Sequence, residues 1–456
     1  MRTAFGLLLA AVVIIPASVA QGAFALTDTD RVIFYGGPAV EPPSFGSQAE
    51  LFVRVRYPDL RTWFLHQRSG PTGTVSEALA GFDERVAAFS PTVVVLAFGP
   101  QDLGAQPPDP AQIDVFRADL DQLIRKSKAL GARVWVLTPL SPDLSMRPDL
   151  REIGFESIVS DYAEAVRKIA EACEASVVDW HAASGAYRAA HSTSALLRLT
   201  TRSGIDPTPV AAAVATNALL EAWQAEPVQF RIRADWDGEL ADVTAGSATV
   251  SKPDENTLVI SLRGIPLPWY ITNRRNTLAM YWPPARFYEY ELQIENVPDV
   301  RGVGFTIGEK TGTGVQGLKP FLSMMLRDGC DMSAIGPLTT AAAVGTLQAA
   351  LDRKDRWYRE LDRFREKAGE VTEPELKPAY ETQMLAFRQY ADGTAALVHR
   401  VPRTMDIDIV VQAAQGAEAR PLRVPPEPLE PPAPTTLPTE TKPESDPTAI
   451  ETPDAP

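Results

Sequence analysis

The stretch Thr92-Val93-Val94-Val95-Leu96-Ala97-Phe98-Gly99-Pro100-Gln101-Asp102 decides how this chain folds. Its apolar run is unbroken from Val93 to Phe98, and Gly99-Pro100 stops it. A strand that is apolar at every position needs cover on both faces, which is the condition of a central strand in a parallel sheet. Four more strands flank it, at Val32–Tyr35, Thr62–Leu65, Arg133–Leu137 and Ser176–Asp179. The Thr62–Leu65 run is the least continuous of these, which places it nearer an edge. Helical periodicity fills the gaps. Ile113, Phe116, Leu120 and Leu123 share one face before Gly131, and Ile158, Tyr162, Val166, Ile169 and Cys173 share another. Thr208 ahead of Pro209 opens a closing helix. This alternation predicts an α/β fold, a flavodoxin-like doubly wound parallel sheet with strand order 2-1-3-4-5, over about 195 residues from Asp30 to Gln224.

Beyond Gln224 the texture changes. Tyr288, Tyr290, Leu292 and Ile294 alternate with Glu289, Glu291, Gln293 and Glu295, the period of a strand with one wet face, and Thr257–Leu262 is a further strand. Helical spacing returns at Leu347, Leu351, Tyr358 and Leu361, and the pairs Asp352/Arg356 and Asp355/Arg359 mark the opposite, solvated face. From Pro421 onward, 12 of the 40 prolines stand among Thr and Glu, too little apolar surface to fold. The expected order is therefore a signal peptide (1–25), an α/β domain (26–225), a β-rich domain (226–316), a helical C-terminal region (317–415) and a disordered Pro/Thr/Glu-rich tail (416–456).

The chain has 456 residues, with Lys and Arg numbering 44 against 58 Asp and Glu, a net charge of −14. Without a basic cluster it lacks what a nucleic-acid partner requires. Two cysteines, Cys173 and Cys330, exclude a disulfide scaffold and a cysteine-built zinc site; both are read as buried thiols, with a single bridge as the alternative. Arg2, the apolar run Phe5–Ile15 and the small residues Ser18 and Ala20 read as an export signal cut near Gln21, and Ala23-Phe24-Ala25 offers a second cut before Leu26. The run is shorter than the roughly 20 residues a spanning helix needs, so the expectation is cleavage, no remaining transmembrane segment, and a periplasmic, cell-surface or extracellular location.

Ligands of doubly wound sheets bind at the carboxyl ends of the strands, so the loops there carry the functional information. They read Tyr35-Gly36-Gly37-Pro38-Ala39-Val40 after the first strand, Phe98-Gly99-Pro100-Gln101-Asp102 after the third, and Ser203-Gly204-Ile205-Asp206-Pro207 before the last helix. In order, spacing and context these blocks resemble the SGNH hydrolases, the GDSL lipases and esterases. That family carries Gly-Asp-Ser after the first strand, a Gly after the second, Gly-x-Asn-Asp after the third and Asp-x-x-His-Pro before the last helix. The resemblance maps the nucleophile onto Pro38, behind Gly37, and the second-block Gly onto Thr72 or Gly73. It maps the Asn onto Gln101, followed by Asp102, and the Asp and His onto Ser203 and Asp206.

Each replacement removes chemistry. Pro38 has neither a hydroxyl nucleophile nor a backbone N–H for an oxyanion hole. Gln101 keeps an amide but moves it by one methylene. A carboxylate such as Asp206 has an ordinary pKa of about 3.9, against about 6.5 for histidine, and is a poor proton shuttle near neutrality. The resemblance thus implies a catalytically degenerate, exported member of a carbohydrate or acyl esterase family, with a binding or scaffold role and glycans or acylated carbohydrates as its partner class. The competing reading is a working esterase with relocated groups: Ser44 or Ser47 as nucleophile, His66 as base, Asp102 or Asp206 as its orienting carboxylate. Asp102, Asp206 and His66 carry no metal-ligand spacing, so neither metal nor cofactor is expected. His181 and His191 read as surface helix residues. Trp269, Tyr270, Tyr281 and Trp282 suit either a sugar platform or the seam between domains.

Overall fold

A computed structural model describes residues 23–41, 44–103, 110–190, 198–226, 228–243, 245–266, 288–295, 303–309, 330–331, 336–369, 375–401 and 404–413. The expected signal peptide up to residue 22, the four aromatics at 269–282, His191 and the tail lie outside the described residues. The first half alternates β1 (Arg31–Gly36), α1 (Phe45–Arg56), β2 (Trp63–Arg68), α2 (Val75–Arg85), β3 (Val93–Ala97), the short α3 (Pro100–Leu103), α4 (Pro110–Ala129) and β4 (Arg133–Leu137). It continues through the short α5 (Pro148–Glu152), α6 (Phe155–Ala172), β5 (Ser176–Val178), α7 (Trp180–Ala190) and α8 (Pro209–Ala222). The five strands are parallel in the order β2-β1-β3-β4-β5, as the periodicity predicts, with β2 at an edge.

Strand alternation distributes the core between the two faces. Val32 and Phe34 of β1 pack with Phe45 and Phe52 of α1 and with Leu219 and Trp223 at the end of α8, whereas Ile33 and Tyr35 pack with Val75 and Phe82 of α2, Phe116 of α4 and Tyr162 of α6. Cys173 is unbridged and buried at the end of α6, and its thiol donates to Asp121 Oδ1 at 3.2 Å. Cys330 lies in a short strand, and its side chain is outside the described residues.

The second half holds β6 (Val228–Asp235), β7 (Leu240–Val243), β8 (Ser247–Asp254), β9 (Thr257–Pro266), β10 (Tyr288–Glu295), β11 (Val303–Glu309), β12 (Cys330–Asp331), α9 (Gly336–Gly369), α10 (Lys377–Val398) and β13 (Thr404–Ala413). They build two four-stranded sheets, β12-β10-β6-β7 and β11-β13-β9-β8. Along β9 the alternate residues Leu258, Ile260 and Leu262 are buried, the mark of a sheet with one covered face. Here the expected partition needs correction. The last strand of the region read as helical, β13, pairs antiparallel with both β9 and β11, so α9 and α10 are an insertion within the β unit. A terminal strand that waits for partners more than a hundred residues upstream leaves no local sign of its pairing.

The long helix α9 ties the two halves together. Its Leu347 and Leu351 join the core beside β9, and its Tyr358 and Leu361 join the core beneath β2 and α2. Lys354 and Asp355 fall within that stripe and are buried too, which corrects the expected Asp355/Arg359 surface pair: Asp355 bonds Lys354 at 3.3 Å, and Asp352 accepts from Gln348 at 2.9 Å. Lys354 Nζ also donates to Glu50 of α1 and, at 3.2 Å, to the Phe64 carbonyl of β2. An edge strand exposes unpaired backbone groups, and here one of them is covered by a buried lysine. The Lys354→Met variant leaves two buried carboxylates without that cation and is expected to lose about 3–5 kcal/mol in urea unfolding. Adding Glu50→Gln to it is expected to return part of that loss; a double variant no more stable than Lys354→Met would contradict the pairing.

Candidate functional site

The carboxyl ends of the parallel strands bring four of the named residues together. Gly36, the last residue of β1, runs so close to β3 that a methyl group there would strike the Ala97 carbonyl, and the next amide, Gly37 N–H, donates to that carbonyl at 3.2 Å. Pro38 follows and opens a short 3-10 turn, Pro38–Val40. A methyl on Gly37 would sit 2.9 Å from Gln101 Oε1, and one on Gly73 would sit 2.9 Å from Pro38 Cδ. Gly37, Pro38, Gly73 and Gln101 therefore form one contact group. Gly73 has φ +77°, a left-handed conformation that suits glycine.

The amides of this group are engaged by a neighbouring carboxylate. Pro38 carries a ring carbon in place of an amide proton, and that carbon faces Gly73. The Gly73 N–H is already taken, donating to Glu77 Oε2 at 2.8 Å, and Thr72 N–H reaches the same carboxylate at 3.0 Å. Burial pushes the Glu77 carboxyl up, but the hydroxyl of Thr72 and the amides of Thr72, Gly73 and Thr74 outweigh it and hold the group below its usual range. The Glu77 carboxylate thus occupies the amide donors of Thr72 and Gly73. Sequence reading missed Glu77; the signal was its place three residues after the helix N-cap Thr74.

The two remaining loops close over this edge. Asp102 Oδ1 accepts from the Val75 amide at the start of α2 at 2.8 Å, while its Oδ2 is buried without a hydrogen-bond partner among the described residues. Burial pushes the Asp102 carboxyl up to about 7 against the backbone donors that favour its charged form. Ser203 turns inward on its own loop, its Oγ accepting from the amides of Ile205 and Asp206 at 3.2 and 2.9 Å, so its hydroxyl serves a turn. The space where Ala39, Phe98, Gln101, Trp180, Ile205 and Pro207 meet is a cavity of about 10 Å³, room for about one water molecule. Asp206 lies between two of its lining residues, partly exposed.

Among the described residues no hydrogen bond joins Ser44 or Ser47 to His66, or His66 to Asp102 or Asp206. Ser44 and Ser47 form a capping box at the start of α1, each amide donating to the other's hydroxyl at 3.4 and 3.3 Å, and both are buried. His66 bonds Glu50 through Nε2 at 3.1 Å, in place of Asp102 or Asp206, and stacks on Phe34 with ring centres 5.0 Å apart. Its Nδ1 has no hydrogen-bond partner among the described residues, and a methyl on Gly46 would sit 2.8 Å from it. The histidine is enclosed by core. Burial raises the Glu50 carboxyl, yet Lys354, the His66 hydrogen bond and Arg54 together hold it well below the usual carboxylate range. Glu50, His66 and Asp355 bring their ligand atoms within 4.8 Å of one another, but the Lys354 ammonium bonds both carboxylates and supplies the positive charge. His181, expected on the surface, is half-buried in α7 and approaches Ser160 Oγ at 3.3 Å; burial lowers its pKa.

Residues 41–202 match the model of the GDSL-like Lipase/Acylhydrolase family. The match lies within the α/β domain, whose fold is that of the SGNH hydrolases. No curated protein sequence matches the chain. Among solved structures it is similar to BT4096, a gut microbial diltiazem-metabolizing enzyme, with 14% identity, a TM-score of 0.66, and coverage of 86% of this chain and 100% of that one. Axe2, an acetylxylan esterase from Geobacillus stearothermophilus, aligns at 20% identity over 44% of this chain and 96% of its own, with a TM-score of 0.36. The BT4096 likeness extends the shared fold beyond the α/β domain to most of the chain.

The buried Asp102 yields a pH test. Its folded pKa lies above its unfolded value near 3.8, so the stability of the neutral form is complete below that value and is lost as pH rises towards about 7. Asp102→Asn keeps the acceptor for Val75 and is neutral at every pH. Its stability relative to wild type is expected to grow between about pH 4 and about pH 7, by about 4 kcal/mol at most, and then to level off. Thermal unfolding across that range checks it; a pH-independent difference would contradict the burial of a protonated carboxyl.

Proposed function

We propose that this chain is an exported descendant of ester hydrolases that has lost ester hydrolysis and acts as a binding or scaffold protein, with glycans or acylated carbohydrates as its partner class. The observation that carries the reading is Pro38 at the position after β1 where the family places its nucleophile. The Gly73 amide bound to Glu77, the Ser203 hydroxyl spent on a turn and the cavity of about 10 Å³ support it from independent directions. No helix among the described residues is long and apolar enough to cross a membrane.

Wild-type protein is expected to hydrolyse short acyl esters and acetylated sugars no faster than buffer. Catalytic groups act as a unit, so single reversions should do nothing, whereas Pro38→Ser, Gln101→Asn, Ser203→Asp and Asp206→His combined with Glu77→Gln are expected to give the first measurable turnover. Wild-type hydrolysis above background that survives repurification would refute the proposal.

Export carries its own test. Phe24 stacks on Tyr57 with ring centres 4.1 Å apart, and the Ala25 amide donates to the Trp223 carbonyl at 2.8 Å. A cut before Gln21 keeps both contacts and a cut before Leu26 removes both. N-terminal sequencing of exported protein is expected to read Gln21 first; a start at Met1 would contradict export with cleavage.

A further inference from the structure

At the amino edge of the parallel sheet, opposite the family site, a cavity of about 460 Å³ opens between the first residues of β1 and β2, helix α1 and the inserted helices. Its size falls in the range of about 300–1,000 Å³ usual for small-molecule sites. Arg31, Arg54, Arg61, Lys354 and Arg388 line it, with Asp392 as the lining carboxylate. Five cationic side chains converging on one concavity is unexpected in a chain of net charge −14.

Three of the five have partners that neutralise them. Lys354 meets Glu50 and Asp355, Arg54 Nη2 meets Glu50 at 3.2 Å, and Arg61 pairs with Asp28. Arg31 and Arg388 are different. Arg31 gives its Nε–H to the Phe89 carbonyl at 2.8 Å and lays its guanidinium 4.4 Å over the Trp63 ring, with no carboxylate partner among the described residues. Arg388 lies 4.9 Å from the Phe89 ring centre, and its nearest carboxylate, Asp392, is 4.0 Å away and already accepts the Tyr358 hydroxyl at 2.6 Å. On the buried floor, Arg54 is 4% exposed, and its Nε–H has no acceptor among the described residues.

We propose that this cavity binds a small molecule through an oxyanion group, a phosphate, sulfate or carboxylate. A guanidinium offers paired N–H donors that match such groups bidentately, and aromatic and buried walls strengthen the attraction relative to open water. The site is separate from the strand-end cleft and stands whether or not ester hydrolysis is lost.

Calorimetric titration of the whole chain at low salt with pyrophosphate, sulfate and glucuronate tests it, with Trp63 fluorescence as a second readout. At least one probe is expected to bind saturably at one site, more weakly as sodium chloride is added. The order of the three assigns the group. Arg388→Gln and Arg31→Gln are each expected to weaken binding about tenfold or more, while Arg125→Gln, in an exposed ion pair with Asp121, leaves it unchanged. If Arg31→Gln melts early, Arg388→Gln decides alone, because its fold contacts are one ring and a distant carboxylate. No saturable binding of any probe, or binding that neither cavity variant weakens, overturns the proposal.

Discussion

The carboxylate of Glu50 has no solvent exposure, and much of this molecule is arranged around that fact. A buried charge without partners costs several kcal/mol, so the fold must bring cations to it. Arg54 comes from one turn along α1, a hydrogen-bonding imidazole, His66, from β2, and the second cation, Lys354, from α9, more than three hundred residues away. The third partner binds the C-terminal helices to the edge of the parallel sheet. Glu50 itself takes the histidine that the relocated triad was read to use, and Lys354 lines the amino-edge cavity.

At the opposite edge, the features that survive are those backbone geometry demands. Gly36 must pass the Ala97 carbonyl, Gly99 at φ +134° lies where a methyl would meet Pro139, and Gly204 at φ +76° turns the last loop. The polar side chains of these loops bond locally. Glu77 binds amides, Ser203 caps its own turn, and Asp102 holds the start of α2.

The parallel sheet was legible in the sequence because Val93–Ala97 and its neighbours are apolar at every position, and the loop blocks followed from the sheet. Gly37, Pro38 and Gln101 could be placed because they sit within a few residues of strand ends. The Glu50 cluster was not legible. Nothing in the sequence of α1 links Glu50 to Lys354, and a Lys-Asp pair inside an apolar stripe reads as surface charge until the helix has something packed on that face. The return of β13 to β9 was hidden for the same reason, since pairing at long range has no local pattern. Glu77 was overlooked because a glutamate in a first helical turn is common, and only the structure shows that it also takes the Gly73 amide.

The central claim is that no hydroxyl in this protein is an activated nucleophile. A fluorophosphonate, which forms a covalent adduct with activated serines irrespective of the acyl substrate an enzyme prefers, tests it without knowledge of any ligand. After prolonged incubation with excess reagent, intact-mass spectrometry of wild-type protein is expected to show the unmodified mass. A single stoichiometric adduct, mapped by peptide sequencing to Ser44, Ser47 or any other serine, would contradict it.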